Sequence, residues 1–333
     1  MEHRRFGNTD LTVSIIGLGC YGMSGAYGPA DDAESIATIR CALDLGVNLL
    51  DTSASYGNGH NHRLIGEAIR GRRHEVVIHS KSGSPRDGSP DAARGGGDPR
   101  YLRQTCEQSL KNLGIETLDV FCMSRVDPNV PIEESVGGMA ELVTEGKTRF
   151  ISLSECSAGS LRRGSAVHPL VSLQMEYSLF SRDAEEQGQI DACKELGVAM
   201  MAYAVLGRGM LSAQVPKPEE MAADDIRARL PRFHSANLEK NLRLRSALEA
   251  IARGKDATLA QLSIAWPMAQ GSRAGALIVP IPGAKSRKHL EENVRAADIA
   301  LTADDLAEID RIVPPDAASG TRYPIGQMHR LNL

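Results

Sequence analysis

The sequence predicts an α/β protein of the (β/α)8-barrel (TIM-barrel) class, with an N-terminal β-hairpin and extra helices near the C-terminus. Two observations predict this class: apolar runs of strand length alternate with amphipathic runs of helix length through most of the 333 residues, and the strand-like runs number eight. No Pro/Gly-rich linker divides the chain, so we expect a single barrel domain over residues 1–333. Its active site should lie at the C-terminal ends of the strands.

The predicted elements follow one another regularly. A short hairpin over residues 4–12 turns at Gly7-Asn8. The strand-like runs are residues 13–19, 47–53, 76–81, 118–124, 148–155, 170–178, 198–206 and 276–283. Helical patterns between them include residues 31–46, 99–114, 132–147 and 184–197; two helices at 238–253 and 258–270 precede the last strand, and a final helix spans 303–312.

Three connections are long for loops that leave a barrel strand, namely residues 20–30, 82–98 and 207–236. Loops of this length without structure of their own are usually functional or mobile. The three glycines at 95–97 are expected to serve in a flexible lid, because no Lys-Ser/Thr pair follows them as a phosphate-binding loop would require.

Composition limits the classes of function. The formal net charge of −4 gives no global attraction for nucleic acid, and no apolar run approaches the roughly 18 residues that span a bilayer. The six cysteines include no C-x-x-C pair, so free thiols are expected. The first residues have basic charge but no apolar segment behind it, and we expect a cytoplasmic protein that acts on a small molecule. The oligomeric state stays open.

Gly17, Gly19 and Gly22 form G-x-G-x-x-G directly after the first strand, which resembles a dinucleotide-binding fingerprint. In that fingerprint a helix begins at the third glycine, and its N-terminus holds the pyrophosphate. Here a loop sequence, MSGAYGPADD, follows Gly22. We therefore interpret the glycines as a turn that leaves a barrel strand.

Three residues suited to proton transfer lie at the ends of neighbouring strands. Asp51 and Tyr56 lie in DTSASYG at the end of the second strand, and Lys81 ends the third in HSK. A phenol with a pKa near 10 is a weak acid at neutral pH unless a nearby cation stabilises its anion. Lys81 could supply that cation and Asp51 could orient it, so that Tyr56 delivers a proton to a carbonyl oxygen.

With these residues in place, the chain resembles the aldo-keto reductase family, in particular a bacterial branch of it. The resemblance runs along the whole chain in family order, through GLGCYGMS, DTSASYG with LIGEAI, SRVDPNVPIEESVGGMAELVTEGK, ISLSE, LQMEYSLFSRD, AYAVLGRGML and VPIPGAKSRKHLEENV. It implies reduction of a carbonyl with NADPH, and it matches Asp51, Tyr56 and Lys81 to three of the four catalytic positions of the family.

The fourth catalytic position departs from the family. Relatives usually have histidine before Arg-Val-Asp-Pro, whereas this sequence has Ser124 before Arg125. Serine keeps a hydrogen-bond donor but is shorter and neutral, so slow turnover of generic aldehydes is expected, or a site with room for a bulkier ring aldehyde such as pyridoxal or for a ketosugar. The substitution also keeps open an alternative, a regulatory protein of the same fold that binds NADPH with little turnover. A metal-dependent barrel enzyme is a third reading, for which the sequence has no convincing ligand set.

The resemblance also implies how NADPH/NADP+ is held. Ser154, Glu155 and Gln174 match positions that face the nicotinamide carboxamide, although many relatives have asparagine at Glu155. Tyr203 matches the aromatic residue on which the nicotinamide ring stacks. The remaining matched positions, on the loop after the first strand and on the loop that wraps the pyrophosphate, are Gly22, Met23, Leu206, Gly207, Arg208 and Gly209.

A basic segment after the last strand is the predicted site of the adenosine 2′-phosphate. Ser286 is a predicted helix N-cap, and a helix N-terminus with cations beside it suits a phosphate dianion. Cations on a first helical turn can also simply face solvent, and the match of the later residues to the family's adenine contacts favours binding. The matched residues are Gly283, Lys285, Arg287, His289, Glu292 and Asn293. His60, His62 and His79 are interpreted as surface or packing residues, and no metal is expected.

Overall fold

The computed structural model describes residues 1–83, 85, 96–215, 217–222 and 225–333. Eight parallel strands follow each other in chain order around the molecule, which confirms the predicted barrel class. They are β3 (Leu18–Gly19), β4 (Leu49–Ser53), β5 (Val77–Lys81), β6 (Leu118–Met123), β7 (Thr148–Ser154), β8 (Leu170–Glu176), β9 (Ala199–Tyr203) and β10 (Ile278–Pro280).

The glycines of the first strand join the two ends of the sheet. Gly17 N donates to Pro280 O at 2.9 Å and Gly19 N to Pro282 O at 3.0 Å, so β3 meets the chain around β10. A Cβ on Gly19 would lie 2.8 Å from the carbonyl oxygen of Ile281, closer than real Cβ contacts allow. The first α-helix begins only at Asp32. The interpretation of G-x-G-x-x-G as a turn that leaves a barrel strand is therefore confirmed.

The predicted strand 13–19 is divided in the structure. Residues Thr12–Ser14 form β2, which pairs antiparallel with β1 (His3–Arg5), and only Leu18–Gly19 belongs to the barrel. The side chains of Phe6, Leu11 and Val13 are buried against residues that line the barrel interior. The hairpin thus closes the N-terminal end of the barrel, and burial of these apolar side chains holds it there.

Twelve α-helices surround the barrel within the described residues. The helix pair before the last strand, the final helix at 303–312 and the Ser286 N-cap, which accepts from His289 N, are as predicted. The twelve helices are α1 (Asp32–Asp44), α2 (His60–Ala68), α3 (Pro99–Leu113), α4 (Ile132–Thr144), α5 (Ala158–Val167), α6 (Asp183–Glu186), α7 (Gln189–Leu196), α8 (Ser235–Gly254), α9 (Leu259–Ala274), α10 (Arg287–Val294), α11 (Ala303–Ile312) and α12 (Ile325–Met328). None of these helices combines the length and the apolar character that a membrane span requires.

The last residues of the chain fold back onto the C-terminal ends of the strands. Asn332 N donates to Glu155 O at 3.0 Å, and Ser157 N donates to Leu333 O at 2.9 Å. The sequence did not predict this return. Of the long connection predicted over residues 82–98, residues 84 and 86–95 lie outside the described residues, and they include Gly95 of the predicted lid.

Candidate active site

Asp51 and Lys81 form a buried ion pair where β4 and β5 end. Lys81 Nζ donates to Asp51 Oδ1 at 2.6 Å and to Oδ2 at 2.7 Å, and the two residues are only 6% and 4% exposed. Tyr56 lies in the turn after β4, and its ring centroid is 5.1 Å from Lys81 Nζ. The structure therefore brings together the three residues that the sequence singled out.

His79 is part of the same network, although it was predicted to be a surface or packing residue. It is fully buried, with Nδ1 3.1 Å from Asp51 Oδ1 and Nε2 3.3 Å from Ser152 Oγ. His79 precedes Lys81 by two residues on β5 and is the register partner of Asp51 on β4. Alternation along a strand places such residues on one face, so the spacing was the signal that could have identified His79.

These contacts determine the protonation states of Asp51 and His79. Burial by itself would raise the pKa of Asp51, but the Lys81 ammonium and the His79 hydrogen bond bring it below its usual value. Burial outweighs the attraction of Asp51 and lowers the pKa of His79. At neutral pH the site therefore contains a carboxylate and a neutral imidazole. Gln174 Nε2 also donates to Asp51 Oδ1, at 2.7 Å, whereas its predicted contact was with the nicotinamide carboxamide.

Tyr56 contradicts the expectation of a phenol with a lowered pKa. Burial raises the pKa of Tyr56 well above its ordinary value, and the charge of Asp51 and the neighbouring Tyr21 raise it further. The reason is that the positive charge of Lys81 is matched by the carboxylate to which it is bonded, while the half-buried phenol loses part of its hydration. Tyr56 is consequently held in its protonated form throughout the neutral range.

Ser124 occupies the predicted fourth position, directly after β6. It is 8% exposed, and its Oγ accepts a hydrogen bond from Gly83 N at 2.8 Å. Its own hydroxyl proton stays available, because a serine hydroxyl can accept and donate together. The Ser124 hydroxyl can therefore still donate a hydrogen bond, while its oxygen is bonded to the loop that follows β5.

Both carboxylate oxygens of Glu155 accept hydrogen bonds from other residues of the protein. Its side chain is fully buried; Oε1 accepts from Tyr203 OH at 2.8 Å and from Glu176 N at 2.7 Å, and Oε2 accepts from Arg322 Nη2 at 3.1 Å. These bonds count against the predicted contact between Glu155 and a carboxamide, because both oxygens already have donors. Arg322 belongs to the returning C-terminal segment, and sequence reasoning missed it because no local pattern links residues 155 and 322.

Arg208, predicted for the pyrophosphate loop, is also paired inside the protein. It donates to Glu176 Oε2 at 2.9 Å, to Tyr27 OH at 3.2 Å and to Tyr323 OH at 3.0 Å. Gly207, Arg208 and Gly209 all have positive φ, which the glycines adopt without strain. Tyr323 is a second residue that the sequence did not single out, and its hydroxyl oxygen also lies 3.1 Å from that of Tyr203.

The predicted phosphate segment is close to the loop after β3. Lys285 Nζ donates to Pro29 O at 2.8 Å and to Tyr27 O at 3.1 Å, and Arg287 forms an exposed ion pair with Glu34 at 2.9 Å. A Cβ on Gly22 would lie 3.3 Å from Lys285 Cγ, so the two predicted segments are in contact.

The other matched residues lie as follows. Asn293 is 3% exposed, and its Nδ2 has no hydrogen-bond partner among the described residues. Met23 is buried and His289 is exposed on the first turn of α10, whereas Leu206, Ser286 and Glu292 are half-buried and Ser154 ends β7. Across the described part of the chain, no group of three His, Cys, Asp or Glu side chains could hold a metal ion.

Fold and site together define a (β/α)8-barrel enzyme with a tyrosine beside a buried lysine–aspartate pair at the C-terminal rim. The chain belongs to the aldo/keto reductase family, whose family model matches residues 15–314. It is 38% identical over 327 residues to a probable aldo-keto reductase 1 of Glycine max, covering 98% of this chain and 92% of that protein.

Solved structures agree with this assignment. The glycerol dehydrogenase AKR11B4 of Gluconobacter oxydans has a TM-score of 0.82 at 26% identity, over 97% of each chain. An aldo/keto reductase of Klebsiella pneumoniae, solved in complex with NADP and acetate, has a TM-score of 0.73 at 26% identity, over 97% of this chain and 98% of that one.

Proposed function

We propose that this protein is an NADPH-dependent carbonyl reductase in which Tyr56 donates a proton to the substrate oxygen. The observation that carries the proposal is the position of the Tyr56 ring, 5.1 Å from a Lys81 ammonium that is bonded to both oxygens of Asp51. Family membership supports an oxidoreductase, and the structures of Klebsiella pneumoniae relatives with NADP and with NADPH support the cofactor.

The residues of the site have separate tasks in this proposal. NADPH supplies a hydride to the carbonyl carbon when it is bound. Tyr56, protonated at neutral pH, donates its proton as negative charge develops on the carbonyl oxygen. The Lys81 ammonium, 5.1 Å from the ring, offsets part of the negative charge left on Tyr56, although Asp51 already balances much of its charge, and Asp51 positions that ammonium. Ser124 can donate a second hydrogen bond to the oxygen from the end of β6.

The chain offers matching groups for the cofactor at its adenosine end. The buried Nδ2 of Asn293 has no acceptor among the described residues, and a buried donor without an acceptor lowers stability unless a ligand accepts its hydrogen bond. The capped N-terminus of α10, with Arg287 and His289 on its first turn, suits a phosphate. At the nicotinamide end, the proposed contacts are Ser154, the ring of Tyr203 and the Oε1 of Gln174, whose Nε2 is already bonded to Asp51.

The substrate we propose is a ring aldehyde such as pyridoxal, or a ketosugar. Ser124 is smaller than the histidine it replaces, which leaves room for a ring beside the reacting carbonyl. The same substitution supports the alternative of an NADPH-binding regulatory protein with little turnover, because serine cannot supply the charge of an imidazolium.

The test is NADPH oxidation, followed by absorbance, with pyridoxal, ketosugars and small aldehydes. Tyr56→Phe should lose roughly 10²- to 10⁴-fold in turnover, the usual contribution of a general acid, while it binds NADPH as tightly as the unchanged protein. Tyr21→Phe is the matched control, because its ring lies 4.4 Å from that of Tyr56. Equal turnover in the two variants would remove Tyr56 from its role, and quenching of NADPH fluorescence without oxidation of any substrate would favour the regulatory alternative.

A further inference from the structure

Arg125 places a guanidinium at the mouth of the site, and the proposed function assigns it no role. It follows Ser124 directly, and its Nη1 donates to Ser124 O at 2.6 Å and lies 3.5 Å from Ser154 Oγ. Its Nη2 lies 3.4 Å from Tyr323 OH. The side chain therefore lies between Ser124, the predicted fourth catalytic position, and the predicted nicotinamide contact Ser154.

The charge of Arg125 has no carboxylate partner among the described residues, since the ion pairs there include none with Arg125. The two buried acids of the mouth are already engaged: Glu155 with Arg322 at 3.1 Å, and Glu176 with Arg208 at 2.9 Å. The three acceptors near Arg125 are a carbonyl and two hydroxyls, all neutral. A half-buried guanidinium whose hydrogen-bond acceptors are all neutral loses part of its hydration and gains only the more distant attraction of Glu155, which is already paired with Arg322.

The surroundings add to this local excess of positive charge. Arg232 is a further, half-buried cation of the mouth, and the acid nearest to it, Glu176, is 3.6 Å away and shared with Arg208. The mouth thus holds the four arginines 125, 208, 232 and 322 against three carboxylates: the buried Glu155 and Glu176, and the partly exposed Asp183, which lies 3.2 Å from Arg322. A small anion that entered beside Arg125 would be attracted by this field.

We propose that Arg125 selects the substrate by binding an anionic group, a carboxylate or a phosphate, that the molecule carries close to its reactive carbonyl. The planar guanidinium has five donors, and two parallel N–H groups match the oxygens of either anion. Binding of that group would hold the carbonyl between Tyr56 and Ser124. The inference rests on the proposed carbonyl reduction and narrows its substrate class.

The first experiment compares matched neutral and charged aldehydes. Benzaldehyde is set against its 2-, 3- and 4-carboxy derivatives, and pyridoxal against pyridoxal 5′-phosphate, so that the two anions are distinguished. In Arg125→Gln we expect kcat/KM for the preferred charged aldehyde to fall roughly 10- to 100-fold, mainly through KM, the range for a hydrogen bond to a charged group. The neutral aldehydes should change by no more than about threefold.

Three controls isolate the effect. Arg162→Gln removes an exposed arginine of α5 that pairs with Glu195, and it should behave as the unchanged protein. Arg125→Lys should retain part of the preference, since it keeps the charge but loses the planar fork. The affinity of Arg125→Gln for NADPH should remain within about twofold. An equal loss on charged and neutral aldehydes, or a comparable loss of NADPH affinity, would overturn the assignment.

A binding measurement separates this inference from the proposed function. Benzoate and benzamide have the same ring and differ in charge, and calorimetric titration of each into the protein saturated with NADP+ needs no turnover. Benzoate should bind the unchanged protein at least about tenfold more tightly than benzamide, and Arg125→Gln should abolish the difference. If no aldehyde is reduced but benzoate binding depends on Arg125, the reductase proposal fails and the anion site stands. Equal binding of benzoate and benzamide refutes the anion site whatever the activity.

Discussion

Removal of the Asp51 carboxylate should strongly destabilise the protein, because it leaves the Lys81 ammonium buried without a counter-charge. The two groups are only 4% and 6% exposed, and Lys81 Nζ lies 2.6 and 2.7 Å from the two carboxylate oxygens. Breaking a buried pair by removing one partner typically costs about 3–5 kcal/mol. We expect a loss of that size in the free energy of unfolding of Asp51→Asn, even though the amide keeps the shape of the side chain.

A second variant shows whether the cost comes from the unpaired charge. Lys81→Met in the Asp51→Asn background removes the ammonium as well, and replacing both members of a buried pair is often nearly neutral. The double variant should therefore recover most of the loss, while it stays inactive in NADPH oxidation. This non-additivity is expected because the two side chains are in direct contact.

Urea denaturation near neutral pH measures all of these free energies. Asp44→Asn is the matched control, because Asp44 forms an exposed pair with Arg72 at 2.8 Å, and its loss should cost no more than about 1 kcal/mol. The reasoning is refuted if Asp51→Asn costs no more than Asp44→Asn, or if the double variant is less stable than both single variants.

Three further predictions follow from the same structure. Burial lowers the pKa of His62 to about 4, so the unfolded chain binds more protons below pH ~6.5 and His62 contributes a loss of about 3 kcal/mol as the pH falls to ~4. His62→Gln should remove this part of the pH dependence of urea unfolding, and an unchanged slope would contradict the prediction. Ser124→His should speed reduction of small neutral aldehydes by at least about tenfold and slow that of ring aldehydes, as judged by kcat/KM; a uniform loss would indicate that Ser124 is not a shortened histidine. Arg322→Met leaves the fully buried Glu155 unpaired and should cost about 3–5 kcal/mol in urea unfolding, whereas Arg287→Met, at an exposed pair, should cost less than about 1 kcal/mol. Equal costs would show that the Arg322 pair is not effectively buried.

The pattern of the sequence determined the barrel and the place of its site. Strand and helix periodicities are local properties, and eight strand-like runs in βα order leave few ways to bury their apolar faces. The carboxyl ends of parallel strands lie at one end of a barrel, so Asp51, Tyr56, Lys81 and Ser124 could be expected near each other before any coordinates were known. The division of residues 13–19 between hairpin and barrel was missed, because an apolar run does not reveal which neighbour pairs with it.

Only the tertiary structure decided how those residues are charged and bonded. The hydrogen bond between His79 and Asp51 depends on the register between β4 and β5. The pKa of Tyr56 is raised because the effect of burial is larger than the attraction of Lys81, whose charge Asp51 already balances. Arg322 and Tyr323 reach Glu155, Tyr203 and Arg208 because the C-terminal segment returns across the barrel mouth. Contacts between residues more than a hundred positions apart leave no periodic trace in the sequence, since they arise from packing in three dimensions rather than from the local geometry of a helix or strand.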